Sequence, residues 1–458
     1  MQLASTTVLK HKFLLAAAVF TSLFSASVHA QDNSPYSRYG LGNLYPQMNV
    51  INRGMGGVSA AYSDVFSINY NNPASYAGFQ VFQEQRSKKV SSGRVILDAA
   101  LTFNSRNLSE PNTTRSFTAN DLLFSHVYVG IPIRKNWGLT FGIRPISRIS
   151  YNIMRSERLR TPNGELLDST FTNYTGTGGS FLPSIGTGFG TDHFRLGANI
   201  GYLFGKKQLS TRRGFINDSI QYAAADLTNN YNFGDLFFNV GTQVLIDLSK
   251  TSVLRLGASG NWKQTLSGTQ DILRQTYTLN STSGQEIQID SVFQQSNVAG
   301  NVVYPSTYTA GFMLDIAPGQ RTSGWNIGAD YAAGKWNDFR FFGSPDRVQN
   351  NWELRVGAHV TPSENAIQNG KLKSYRFGFF TGRDYIKVGE DLPVYGVTLG
   401  LGLPLRNYSR LSNQATILNF GFEYSRRGND QNVIKEDLFR VSLGLNFTDF
   451  WFGKRKYD

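Results

Sequence analysis

The side chains that could attack, ligate or transfer protons are few in this 458-residue chain. There is no cysteine, which removes disulfides, thiolate metal sites and a lipidated cysteine. Of five histidines, His11 and His29 fall within the first thirty residues, leaving His126, His193 and His359. No metal-ligand spacing or phosphate-cradling loop accompanies them, and nothing marks a serine–histidine–carboxylate arrangement. The reading is a protein that is not an enzyme and has no cofactor or metal. Charge is the chemistry that remains. On one common parity lie Arg144, Arg195, Arg255, Lys263, Asp330, Glu353, Arg355, Arg376, Glu423 and Arg440. Such a set can pair across neighbouring strands. Its arginines Arg144, Arg195, Arg255, Arg355 and Arg376 could also attract a carboxylate head group or the acidic Asp64.

The elements that must hold these residues are strands. A tetrad of polar, apolar, glycine and apolar residues returns eleven times, as in Arg195-Leu196-Gly197-Ala198 and Asn419-Phe420-Gly421-Phe422. A period of two with one apolar side is a strand signature. Its glycines are Gly142, Gly197, Gly241, Gly257, Gly311, Gly328, Gly357, Gly378, Gly400, Gly421 and Gly444. So many strands could not fill a soluble barrel's interior with their apolar side, so that side points to lipid. No stretch after the first thirty residues approaches the ~20 apolar residues of a membrane helix, so a spanning chain must be a closed barrel.

Alternation predicts fourteen strands, near 93–104, 121–132, 136–150, 180–191, 193–205, 231–248, 252–266, 306–317, 322–335, 351–361, 372–384, 394–404, 414–426 and 437–449. Short connections alternate with long ones, including 151–179, 206–230 and 267–305. That asymmetry fits an outer-membrane barrel with short periplasmic turns and both termini on that side. Trp137, Trp325 and Trp451 fall at the short-turn ends, and Trp262, Trp336 and Trp352 at the opposite ends, as two interfacial belts. On this layout the tetrad glycines share one height on the inner face, which suggests a belt that makes room for something inside.

Residues 1–30 have a basic start, an apolar core from Phe13 to Phe24 and a small-residue site at Val28-His29-Ala30, the pattern of a signal peptide. Formal charge is +13, or +11 once Lys10 and Lys12 are removed. Scattered over a secreted chain, that charge suits anionic envelope components better than nucleic acid. The 46 glycines, 33 phenylalanines and 22 tyrosines suit a barrel with aromatic girdles. Residues 31–92 break the strand rhythm with turn formers such as Arg53-Gly54-Met55-Gly56-Gly57. A fourteen-stranded lumen is too wide for side chains alone to close, so this segment is expected as a plug, with the barrel over 93–458.

Asn69-Tyr70-Asn71-Asn72-Pro73-Ala74-Ser75, following Arg53, Gly56 and Gly57, resembles the N-terminal hatch of the FadL-type long-chain fatty acid transporters. The style is also similar to Bacteroidota relatives, including the shuttle barrel of type IX secretion. The resemblance implies a fourteen-stranded outer-membrane barrel whose plug carries Asn72, Pro73 and Ala74. It also implies a side window in the third strand through which hydrophobic ligands leave. Pro145 lies in that strand, and proline within a ladder marks a bulge or break. The expected function is passive uptake of hydrophobic small molecules by plug displacement and lateral exit. The alternative is an accessory barrel, without transport, that docks envelope-complex proteins. The expected partners are outer-membrane lipid and a hydrophobic ligand or such proteins.

Overall fold

A computed structural model describes residues 34–83, 90–111, 113–216, 222–279, 286–368, 373–405 and 414–451. The expected signal peptide lies outside the described residues. Fourteen antiparallel strands close on themselves: β1 Val90–Ser109, β2 Ser116–Arg134, β3 Trp137–Arg160, β4 Leu166–Gly190, β5 Phe194–Phe215 and β6 Ala224–Ser249. β7 runs Ser252–Asn261 and resumes as Gln264–Leu279; β8 runs Glu286–Tyr304 and resumes as Thr307–Ile316. Then follow β9 Gly324–Gly334, β10 Asn351–Thr361, β11 Ser374–Val388, β12 Glu390–Leu405, β13 Ala415–Arg427 and β14 Lys435–Trp451. β14 pairs with β1 from Lys435–Ser109 to Trp451–Gly93, which closes the ring.

The apolar side faces out. On β5 Phe194, Leu196, Ile200, Tyr202 and Phe204 are exposed, a span matching the ~9–11 residues of a membrane strand. Beyond Phe204 the outward positions become Lys206, Gln208 and Ser210, yet the strand continues to Phe215. The expected long loops 151–179, 206–230 and 267–305 are therefore mostly continuations of β3 to β8, which stand above the lipid band as a half-wall. Threonine- and tyrosine-rich runs such as Thr170-Phe171-Thr172-Asn173-Tyr174-Thr175 still favour strand. Apolar alternation disappears there because neither face meets lipid. The first strand begins at Val90, a little before the expected 93.

Two other expectations change. Trp137, Trp262, Trp325, Trp352 and Trp451 are exposed at the barrel's two ends, but Trp336 is 1% exposed and packs in an aromatic core, so it belongs to no belt. Lys263 sits in the break between the two parts of β7 and is exposed outside the barrel, because that break shifts the parity that had placed it in the lumen.

The N-terminal segment threads the lumen from end to end. Ser34 donates from its backbone N–H to the Ser150 carbonyl (3.0 Å) and from its hydroxyl to Glu436 (2.6 Å), both at the long-strand mouth. The chain descends through a short helix, Val50–Gly54, and a 3-10 helix, Pro73–Gly78. It reaches the short-turn mouth where Val81 pairs with Gly93. Ser34 and Trp451 thus lie at opposite mouths, while the barrel's own two ends meet at the short-turn mouth, where Gly93 pairs with Trp451.

Candidate functional site

The site is the contact between plug and inner wall, and the tetrad glycines form much of its floor. A methyl group at Gly197, Gly241, Gly257, Gly357 or Gly378 would overlap Pro73, Asn72, Ala60, Met55 or Gly56 respectively. At Gly328, Gly400, Gly421 and Gly444 it would come within 3.1–3.3 Å of Val58, Gly54, Val50 and Val50. Gly142 and Gly311 differ. Their inner side is covered from neighbouring strands, by the Tyr128 ring and by Asp330 with the Ala329 carbonyl.

On the plug, Gly56 and Gly57 take φ of +68° and +90°, a region that disfavours side chains. Asn72 caps the helix at Pro73 by accepting from Ala74 N–H (3.1 Å). Its amide donates to the carbonyls of Ala60 (2.6 Å) and Thr242 (3.0 Å), so one side chain ties helix, plug loop and wall. Pro73 fills the first helical position and Ala74 is fully buried. Arg53 is buried beside Glu423 (3.7 Å), which Arg440 holds more closely (2.6 Å).

The five lumen arginines meet the plug in different ways. Arg144 donates to the Tyr70 carbonyl (3.2 Å) and lies 4.9 Å over its ring. Arg195 reaches the Ser63 hydroxyl (3.4 Å), and Arg255 reaches the Ser63 carbonyl (2.7 Å) while pairing with Asp315 (2.7 Å). Arg355 pairs with Glu353 (2.5 Å) alongside Gly57, and Arg376 donates to Asn419 (2.9 Å) alongside Gly54. Asp64 accepts from Ser67 (3.1 Å) and Tyr62 (3.3 Å) within the plug.

Of the other residues that hold the plug, Asp330 was among the expected lumen charges, while Gln243, Thr398 and Asn199 were not singled out by type. Asp330 accepts from the backbone N–H of Ser59 (2.6 Å) and Ala60 (2.8 Å). Gln243 donates to the carbonyls of Ala60 (3.2 Å) and Tyr62 (3.1 Å). Thr398 accepts from Gly56 N–H (2.8 Å) and donates to the Gly54 carbonyl (3.1 Å). Asn199 accepts from the Tyr76 hydroxyl (3.1 Å). Each stands two residues from a tetrad glycine, hence on the same face at nearly the same height, and that offset was the available signal.

His126 is fully buried: Asp98 lies 3.0 Å from Nε2, and Ser125 (3.3 Å) and Tyr70 (3.4 Å) lie near Nδ1. The arrangement echoes a catalytic triad, but an enclosed ring with two hydroxyls at one nitrogen leaves no approach for a substrate carbonyl. His193 lies in an exposed turn beside Asp247 (3.9 Å), and His359 faces the lumen opposite Arg376.

At Pro145 the wall changes. The ladder between β2 and β3 stops at Val127–Ile143, and against β4 the register slips between Pro145 and Ser147. Above this seam the N-terminal segment lines the edge of β3. Tyr45 N–H donates to the Ile146 carbonyl (2.9 Å), and Asn43 and Leu44 pair with Arg148 and Ser147. The long-strand mouth is closed by Tyr36, Leu41, Leu203, Phe233, Trp336, Phe339 and Tyr385. Between this cluster and the plug lies a cavity of about 340 Å³, lined by Arg53, Arg106, Arg355, Arg427 and Arg440 as well as Glu353, Asp384, Glu423 and Glu436.

No curated protein matches the chain. Among solved structures, a Pseudomonas aeruginosa FadL homologue matches with a TM-score of 0.50 at 12% identity, covering 91% of this chain and 100% of that one. The Pseudomonas putida toluene transporter TodX matches with a TM-score of 0.50 at 14% identity, covering 88% and 98%. At these identities the likeness concerns the fold, a FadL-type outer-membrane barrel with a luminal plug. The BamG family model matches residues 10–458, and the chain belongs to the BamG family.

Proposed function

We propose that this FadL-like barrel works with a blocked lumen, as an accessory subunit of an outer-membrane assembly in a Gram-negative envelope. The observation that carries this reading is the lumen. Uptake of hydrophobic molecules calls for an apolar pocket between mouth and plug. The cavity there mixes apolar residues such as Leu44, Met48 and Ile146 with a set of arginines and carboxylates, most of them already paired, which a hydrophobic ligand would have to pass. Beyond it the mouth is packed shut by aromatic side chains. Short turns face the periplasm in this reading, so the C-terminus is periplasmic and the half-wall stands outside the cell. Purification from mild detergent should then yield stoichiometric protein partners, and the isolated barrel should pass no current in a planar bilayer. Recovery of the barrel alone, together with an open channel, would overturn the proposal.

Lateral uptake is the second reading, favoured by one feature: the β2–β3 ladder ends at Val127–Ile143, beside Pro145. Ligand leaving there would have to displace Asn43 and Leu44 from β3. Joining them to the wall through a Leu44→Cys/Ser147→Cys disulfide should abolish uptake of a hydrophobic probe. Undiminished uptake in the cross-linked protein would rule this route out.

A further inference from the structure

Arg53 stands in the last turn of the short helix Val50–Gly54 and lines the chamber between plug and aromatic mouth. Its side chain is only 5% exposed. Nη1 donates to the Thr102 hydroxyl at 3.4 Å, a long hydrogen bond. Nε and Nη2 are buried with no hydrogen-bond partner among the described residues. Glu423 stands 3.7 Å from Nη2, beyond hydrogen-bond reach.

The chamber has no carboxylate left for it. Four line the space, and each is held more closely by a different arginine. Arg355 holds Glu353 (2.5 Å), Arg440 holds Glu423 (2.6 Å), Arg106 holds Glu436 (2.6 Å) and Arg427 holds Asp384 (2.9 Å). Arg383, the remaining arginine of the lining, pairs with Asp391 (3.2 Å). Arg53 is the cation left over.

A buried charge without a close partner is costly, and an anion of the right shape relieves that cost. The planar guanidinium fork matches the paired oxygens of a carboxylate or phosphate. The adjoining cavity of about 340 Å³ has room for an anion of that size together with water. We propose that Arg53 anchors a small oxyanion, a phosphate or a short carboxylate, inside the closed chamber. Bound there, the anion neutralises the plug's unpaired charge and stabilises the plugged state by mass action. With plug and mouth enclosing it, the anion is taken up as the barrel folds. The site needs only the closed chamber, so its failure leaves the accessory reading untouched.

The test refolds the full-length barrel into neutral detergent with phosphate, acetate or chloride at equal ionic strength. After desalting, the retained anion is released by denaturation and measured. Phosphate or acetate should be retained and should raise the unfolding midpoint, and whichever is retained identifies the ligand's chemistry. Chloride should do neither. Arg53→Met should lose the anion, while Arg426→Gln, whose pair with Asp437 lies outside the chamber, should keep it. Glu423→Gln separates loss of the charge from loosening of the plug. It preserves shape and removes the carboxylate beside Arg53 and Arg440, so half-occupancy should need on the order of tenfold less anion. No retained oxyanion, equal retention by Arg53→Met, or weaker binding by Glu423→Gln overturns the site.

Discussion

At the scale of single residues, the plug is held by polar groups that face backbone rather than opposite charge. Asp330 is the clearest case, since two plug N–H groups converge on one carboxylate oxygen. Replacing it with alanine leaves both donors buried without it, at about 1–3 kcal/mol each. Asp330→Ala should therefore lower the unfolding midpoint clearly, while Asp247→Ala, at an exposed position, should barely move it. Asn72→Ala removes a helix cap worth about 0.5–2 kcal/mol and two donated hydrogen bonds of about 1 kcal/mol each. Its effect should appear as faster proteolysis within residues 34–79 before the barrel itself unfolds. A Gly357→Val substitution sets a branched side chain against the Met55 carbonyl. It should cost at least as much as either alanine variant, whereas Gly142→Ala should act on the Tyr128 ring and leave plug proteolysis unchanged. The glycines were visible in the sequence because the tetrad repeats. Asp330 showed among the expected lumen charges, but Gln243, Thr398 and Asn199 stood two residues from a glycine with no mark by residue type. A hydrogen bond to a backbone N–H leaves no signature in the chain that donates it.

At the scale of elements, strand existence was legible and strand length was not. Lipid imposes an apolar face for about ten residues, and that face located all fourteen strands. Above the band the alternation fades, so the continuations of β3 to β8 read as loops. The N-terminal segment is the opposite case: Asn43 and Leu44 form only two ladder pairs with β3 yet lie along its exposed edge. A sheet edge within or near lipid needs partners for its backbone groups. Because the native chain has no cysteine, a Leu44→Cys/Ser147→Cys pair should form a single intramolecular disulfide under mild oxidation. Failure to form it in the folded barrel would mean that the segment does not rest on β3. Pro145 was visible as a ladder breaker, but which neighbour it separated from β3 depended on register with β2.

For the whole molecule, the question is whether the barrel conducts. Plug, aromatic mouth and charged cavity occupy the lumen in series, so ion current through the intact protein should be at background. A variant lacking residues 34–79, provided it still shows heat-modifiable migration, should conduct, since fourteen strands enclose more space than their own side chains fill. Background current from that folded variant would locate the block in the wall rather than the plug. By itself the sequence determined the architecture: lipid demands a strict two-residue alternation, so strand number, outward face and the shared height of the glycines could be read locally. Tertiary structure alone decided at which mouth Ser34 lies, which way Lys263 points, and which polar groups hold the plug. Those depend on register, on the break within β7 and on contacts between residues far apart in the chain, and no local periodicity encodes them.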